Sequence, residues 1–463
     1  MSRPLAALAA LCLPAALACH AAAADWPQWR GPTFDGSSPE TNLPADWNAD
    51  GDGAVAWTAP LPGPGGGTPV IAGGRLFVTA AEGVGPDAQL IVLAFDADGG
   101  QELWRRTVGT GNQTARVDEG NSASNSCVTD GERVWSTFGD GTVVCLTVAG
   151  EPVWEADLQR RFGEFDIQFG FSSTPVLYDG RLYFQLIHGD GDASTDEARV
   201  VALDAATGAT VWQRGRRTGA SRENEHSYAS IMLNPFTEPP SLITHGGDYA
   251  IAHSTKDEAE GAELWRLGGL NPPGPDYHTT LRFVASPGVG AGPDGTGMVV
   301  VPTAKRGPVF AVDAAAARQL ARRLGGLPES AAGRTAAADV AGSEAVAWRL
   351  DRGTPDVSTP LVTDKLVYLM GERGVLSVHD AADGEQLYQE RLTGGNYRAS
   401  PTLADGKLYA VDRDGVVSVV QAGPQFELLG RMDLGEPTSA TPAVADGTIY
   451  FRTFDRLIAV RKK

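Results

Sequence analysis

The chain has 463 residues, 57 of them glycine and 30 proline, with 38 basic against 57 acidic side chains and a formal charge of −19. An apolar content of 42% supports a buried core and excludes a disordered chain; so many turn-forming residues exclude a mostly helical one. The acidic balance argues against nucleic acid as a partner, because phosphate binding needs a Lys/Arg surface.

Residues 1–24 read as a secretory signal: Arg3 supplies the positive end, Leu5 to Ala18 the apolar stretch, and Ala21 to Ala24 the small residues before cleavage at Asp25. A second reading is a lipoprotein signal ending in Ala16-Leu17-Ala18-Cys19, with Cys19 acylated. The rest of the sequence holds no apolar stretch long enough to span a bilayer. The mature chain is therefore expected in the periplasm or cell envelope, soluble or tethered at Cys19. Residues 25–53 form a Trp-rich segment. Its Trp26, Trp29 and Trp47 are expected to clamp it across the surface of the domain that follows.

From residue 54 onward the sequence repeats. A Ser/Thr-Pro step, a β-branched run, a Gly turn and a second strand recur with anchors at residues 69, 127, 175, 231, 287, 360, 401 and 442, about 53 residues apart. Each of the first seven anchors is followed by a strand, a turn and a closing large residue: Trp104, Trp154, Trp212, Trp265, Trp348, Tyr388 and Leu428. The Asp-Gly pairs at 130–131, 179–180, 405–406 and 446–447 suit two-residue hairpins. Each unit is thus a four-stranded antiparallel meander. The eighth lacks its fourth strand, whereas Ala54-Val55-Ala56-Trp57 is a lone fourth strand. The expected fold is all-β: an eight-bladed β-propeller over 54–463, closed by that N-terminal strand. The alternative is a tandem of smaller β-domains.

The closing aromatics, Trp57 included, are expected to wedge between neighbouring blades. Residues 312–345 break the rhythm: Ala314 to Arg323 predicts a short helix inserted in blade five, followed by a loop. Cys127 falls on the first strand of blade two and Cys145 on the third, two inter-strand steps of ~4.8 Å apart. That exceeds the ~7 Å reach of a disulfide, so two unpaired, mostly buried thiols are expected.

Asp25-Trp26-Pro27-Gln28-Trp29-Arg30-Gly31-Pro32, the strand-Asp-to-Trp half-motif and the Ser/Thr-Pro anchors resemble the PQQ-like β-propeller repeat proteins of bacteria. The resemblance spans nearly the whole mature chain. It implies one of two functions. Quinoprotein alcohol dehydrogenases of this superfamily bind pyrroloquinoline quinone (PQQ) and calcium; the propeller lipoprotein of the outer-membrane β-barrel assembly machinery binds no cofactor and acts as a scaffold. Fold does not choose between them.

The dehydrogenases carry an adjacent Cys pair over the quinone, and this chain has none. Gly-x-Ser-x-Gly and His-Glu-x-x-His are also absent. Asp46-x-Asn48-x-Asp50-Gly51 opens like an EF-hand loop but ends in Trp57 rather than a bidentate Glu. The acidic run Asp190-Gly191-Asp192 with Asp196-Glu197 reads as a solvated loop or a weak calcium site. In a propeller the first strand of each blade lies innermost, so residues just before each anchor line one mouth of the central channel. On that rule Asn121, Gln168, Glu225, His226, Tyr228, Tyr277, His278, Asp356, Tyr397, Arg398 and Glu436 are candidate ligand-binding residues. His226, His278 and Asp356 either share a metal or satisfy backbone groups and water. The expected function is a non-catalytic, monomeric scaffold without cofactor that binds an envelope protein or glycan. The alternative is a PQQ-dependent oxidoreductase of an alcohol or sugar.

Overall fold

A computed structural model describes residues 25–47, 54–112, 121–192, 194, 197–256, 261–272, 274–325 and 336–462. The expected export signal with Cys19, residues 48–53 of the EF-hand-like loop, Asp196, and residues 326–335 of the blade-five insertion lie outside the described residues. Eight sheets, each a four-stranded antiparallel meander and one of them extended by a fifth, parallel strand, form a propeller. Blade one comprises Val70–Ala72, Arg75–Glu82, Gly85–Asp96 and Glu102–Asn112. The same meander begins again at Val128, Val176, Met232, Gly288, Leu361 and Thr402. In blade eight, Val55–Pro60 pairs with Arg456–Arg461 as the outermost strand, so the N-terminal strand closes the ring.

Local chemistry explains the meanders. Asp179-Gly180, Asp405-Gly406 and Asp446-Gly447 all hold left-handed backbone, with φ of 49° and 71°, 51° and 66°, and 50° and 64°. That is the conformation a two-residue hairpin needs. Asp130 instead accepts the amides of Glu132 and Arg133 with its carboxylate, at 2.9 and 2.7 Å.

Two repeated devices fasten blade to blade. In the first, the closing indole of one blade lies on the turn glycine of the next. A Cβ at Gly100, Gly150, Gly208, Gly261 or Gly384 would sit 2.5–2.8 Å from Trp57, Trp104, Trp154, Trp212 or Trp348, respectively. The indole N–H of Trp57, Trp104, Trp154 and Trp348 donates to Ala97, Val148, Ala205 and Ala381 carbonyls at 2.9–3.0 Å. Blade five has no such turn. There the helix Ala314–Gly325 takes its place, and buried Trp265 packs against Ala314, Ala317 and Ala321. Tyr388 meets Phe426 at 5.8 Å between blades six and seven.

The second device explains the anchors. The Ser or Thr hydroxyl before the anchor accepts the backbone N–H of the equivalent residue in the preceding blade. The links run Thr68 to Ser126, Ser126 to Thr174, Thr174 to Ser230, Ser230 to Ser286, Thr359 to Ser400 and Ser400 to Thr441, at 2.8–3.1 Å. Between blades eight and one the buried Arg452 guanidinium serves instead, donating to the Gly67 and Thr79 carbonyls.

First strands of neighbouring blades pack against each other around the axis, which leaves their inner edges needing partners. The Trp-rich segment supplies some of these, and here its position differs from the expected clamp over the surface. Trp26 and Ile71 exchange two backbone hydrogen bonds of 2.9 Å, Pro27 accepts from Thr129, and Ser37–Ser38 pairs in parallel with Leu403–Ala404. Trp29 packs against the core of blades four and five and Phe34 against that of blades three and four. Buried Arg30 donates to Pro401 and Asp35 carbonyls. The segment therefore runs along these inner edges at the end where first strands turn into second strands.

Cys127 and Cys145 are unpaired and buried, and burial pushes their thiols up to about 11 and about 12. No helix among the described residues is long and apolar enough to cross a membrane.

Burial also drives four histidines down: His245 to about 3, His253 and His188 to about 4, and His379 as well. They stay neutral in the folded chain while the unfolded chain protonates them near pH 6.5. The unfolded state then binds more protons, so stability falls as pH drops from about 6.5 towards 4, by up to about 1.4 kcal/mol per pH unit for each histidine. The urea midpoint is expected to fall between pH 6.5 and 5. An unchanged midpoint would show that these histidines are not held neutral.

Candidate functional site

The segments that lead into the blades surround a cup at the end of the ring away from the N-terminal segment. Its cavity of about 390 Å³ is lined by Gly66, Asn121, Phe169, Tyr228, Arg282, Asp356, Arg398 and Ser439, one residue from the segment leading into each of the eight blades, and by Lys305. Lys305 comes from the hairpin between the second and third strands of blade five.

The walls are held by short, specific contacts. Asn121 donates to Pro64 O at 2.9 Å and accepts from the Ala123 amide at 2.8 Å. The Tyr228 hydroxyl accepts from the Phe169 amide at 3.2 Å, and the two rings lie 5.9 Å apart. Burial raises the Tyr228 phenol to about 12, so it stays protonated at neutral pH. The Arg282 guanidinium sits 4.7 Å over the Phe169 ring and pairs with Glu223. Asp356 accepts the Lys305 amide at 3.0 Å, while Lys305 Nζ reaches Thr280 Oγ1 at 2.5 Å. Lys305 and Arg306 both have left-handed backbone, φ 52° and 66°, an arrangement that costs non-glycine residues energy. The Asp356 bond helps to fix it. Arg398 lies 3.5 Å from Glu372.

Of the sequence-selected residues, Asn121, Tyr228, Asp356 and Arg398 meet in this cup. The other seven lie elsewhere. Tyr397 is fully buried, its amide donating to Glu372 O. Glu436 binds Thr453 and Arg456. Tyr277 donates to Asp248 at 2.7 Å. His278 is exposed, and its carbonyl accepts from Asn224 and Asn271. Glu225 accepts the Gly191 amide, and His226 Nε2 lies 3.2 Å from Gly189 O. Gln168 is exposed. His226, His278 and Asp356 do not converge, and among the described residues no three His, Cys, Asp or Glu side chains are placed to hold a metal. Sequence reasoning missed Phe169, Arg282 and Lys305. The first two precede anchors like the rest and were within reach of the same rule. Lys305 belongs to a hairpin the rule does not cover.

The cup therefore offers three cations, one carboxylate, a phenol and an aromatic wall. Its described lining has neither His nor Cys. Such a surface can bind anionic or aromatic groups.

A family model described as "Outer membrane protein assembly factor BamB" matches residues 87–256 and 331–424. No curated protein matches the sequence. Among solved structures, BamB from Moraxella catarrhalis superposes with a TM-score of 0.55 at 14% identity, covering 86% of this chain and 94% of that one. Quinohemoprotein alcohol dehydrogenase from Comamonas testosteroni gives 0.58 at 14% identity, covering 95% and 81%. A europium-containing methanol dehydrogenase gives 0.58 at 13%, covering 94% and 89%. At these identities the structural likeness carries the fold alone.

Proposed function

Because the chain belongs to the PQQ-like propeller family described as outer membrane protein assembly factor BamB, we propose that it is an exported, non-catalytic scaffold that holds a protein partner of the cell envelope in its axial cup. The observation that carries this reading is the composition of the cup: Arg282, Lys305, Arg398 and Asp356 beside Phe169 and Tyr228, with Arg282 and Arg398 each also facing a glutamate, Glu223 and Glu372. A charged, aromatic concavity of this kind suits a polar or aromatic segment of a partner.

The dehydrogenase relatives raise a second reading, in which PQQ and calcium occupy the propeller. The described residues do not fit that pair. Calcium takes 6–8 oxygen ligands, whereas Asp356 is the one carboxylate among the described cup residues and already accepts the Lys305 amide. The indoles that could floor a quinone are committed between blades.

The test reverses the cup's charge. The triple variant Arg282→Glu, Lys305→Glu, Arg398→Glu is expected to lose at least tenfold of the partner captured from cross-linked native envelope by the unaltered chain. Equal capture by both would overturn the cup as the docking site. Dye-linked dehydrogenase activity with alcohols or sugars after reconstitution with quinone and calcium, if saturable, would overturn the non-catalytic reading.

A further inference from the structure

A groove between blades five and six adjoins the cup. Its cavity of about 540 Å³ shares Lys305 and Asp356 with the cup, within the ~300–1,000 Å³ of ligand pockets. Glu372 lines the groove and Arg398 the cup, and these two side chains lie 3.5 Å apart. At the end of this wedge away from the cup, Trp348 fills the space between the blades, stacked on His379 at 6.4 Å and clustered with Val362 and Leu369. The groove begins where that filling stops. Its floor is a row across blade six, in which Ser377 stands opposite Leu369 on one strand and Gln389 on the other. Residues directly opposite share one face of a sheet. The row passes from buried Leu369 through half-buried Ser377 to exposed Gln389.

The rim of the groove carries Lys305, Arg306 and Arg373, from the hairpins between second and third strands of the two blades. Both carboxylates in the lining are engaged: Asp356 accepts the Lys305 amide, and Glu372 faces Arg398. The Arg306 and Arg373 guanidinium groups are exposed, and among the described residues neither makes a hydrogen bond or ion pair. Within the ~8 Å Debye length of physiological salt, these nearby cations outweigh the acidic residues spread over the rest of the chain.

We propose that this groove binds an acidic stretch of polypeptide, its carboxylates on Arg306 and Arg373 and its backbone over Ser377 and Gln389. A guanidinium takes a carboxylate through two parallel N–H···O bonds. Serine and glutamine offer both donors and acceptors to a peptide backbone. This occupant rests on the scaffold reading: the partner segment held in the cup leaves it between blades five and six.

The probe is a fluorescein-labelled peptide of alternating Asp and Ser, titrated with the full chain by fluorescence anisotropy. It is expected to bind saturably, and a Lys-Ser peptide of equal length at least tenfold more weakly. Arg306→Glu with Arg373→Glu should weaken the Asp-Ser peptide at least tenfold. Arg373→Glu alone, which leaves the left-handed Lys305–Arg306 pair untouched, should weaken it at least threefold. Arg105→Glu with Arg106→Glu, on the outer strand of blade one, makes the same change of net charge and should leave the affinity within twofold. No saturable binding, or equal weakening by the two double variants, would overturn the proposal. Capture from cross-linked envelope separates it from the reading beneath it, and should fall at least threefold in the Arg306, Arg373 variant. Undiminished capture there, with capture lost in the Arg282, Lys305, Arg398 variant, would overturn the groove and leave the cup standing.

Discussion

Replacing Arg452 by methionine is expected to remove about 1–3 kcal/mol of stability, the range for leaving a buried hydrogen-bonding group unsatisfied. Arg452 is 1% exposed at the end of the second strand of blade eight, and its guanidinium ties the Gly67 and Thr79 carbonyls of blade one. Burial lowers it to about 10, so it remains charged at neutral pH. Methionine fills similar space but leaves both carbonyls without this donor. Lysine should rescue little, because one ammonium cannot reproduce the guanidinium fork. The matched control is Arg461→Met. Arg461 also crosses from blade eight to blade one, reaching Asp98 at 2.5 Å, but both side chains are solvent-exposed. That pair should contribute less than about 1 kcal/mol. Urea midpoints compared at one pH test the pair of variants. Equal losses would contradict a special role for Arg452 at the ring closure.

The second large effect concerns the indole-on-glycine fastening. Gly208→Ala is expected to destabilise by about 3 kcal/mol, of which about 1–2 is left-handed backbone strain. The rest comes from a methyl forced to within 2.6 Å of the Trp154 ring, at a φ of +70°. Gly447 provides the comparison, with φ +64° and nothing within 4 Å of its would-be Cβ. Gly447→Ala should therefore cost about 1–2 kcal/mol, the strain alone. A common loss at both positions would show that the ring contact does not matter. A larger loss at Gly208 isolates it.

These two devices also show what could be read before the structure. The Trp positions, Asp-Gly turns and lone N-terminal strand revealed the ring, because each carries a local signal repeated at a fixed period. Their partners were not visible. Nothing near Thr174 announces that its hydroxyl accepts the Ser126 amide of another blade. The same holds for Arg30 and the Trp26–Ile71 pairing, which answer the unpaired inner edges of strands far away in sequence.

The cup was legible to the extent that segment length preserved register. Arg398 lines the cavity and its neighbour Tyr397 is buried in the core, since successive residues of extended chain point to opposite sides. The rule that chose both could not tell them apart. Between blades three and five the connections are longer and contain their own turns, Arg222–Glu225 and Gly274–Asp276. Glu225, His226, Tyr277 and His278 are spent there on hydrogen bonds among these loops or left at the surface.

Site-specific photo-cross-linking tests the scaffold reading most directly. A photoreactive residue in place of Val357, in the cup, is expected to capture one envelope protein in living cells. The same residue in place of Leu103, exposed on the outer strand of blade one, should not capture it. Capture from Leu103 but not from Val357 would contradict the axial cup as the place where this propeller holds its partner.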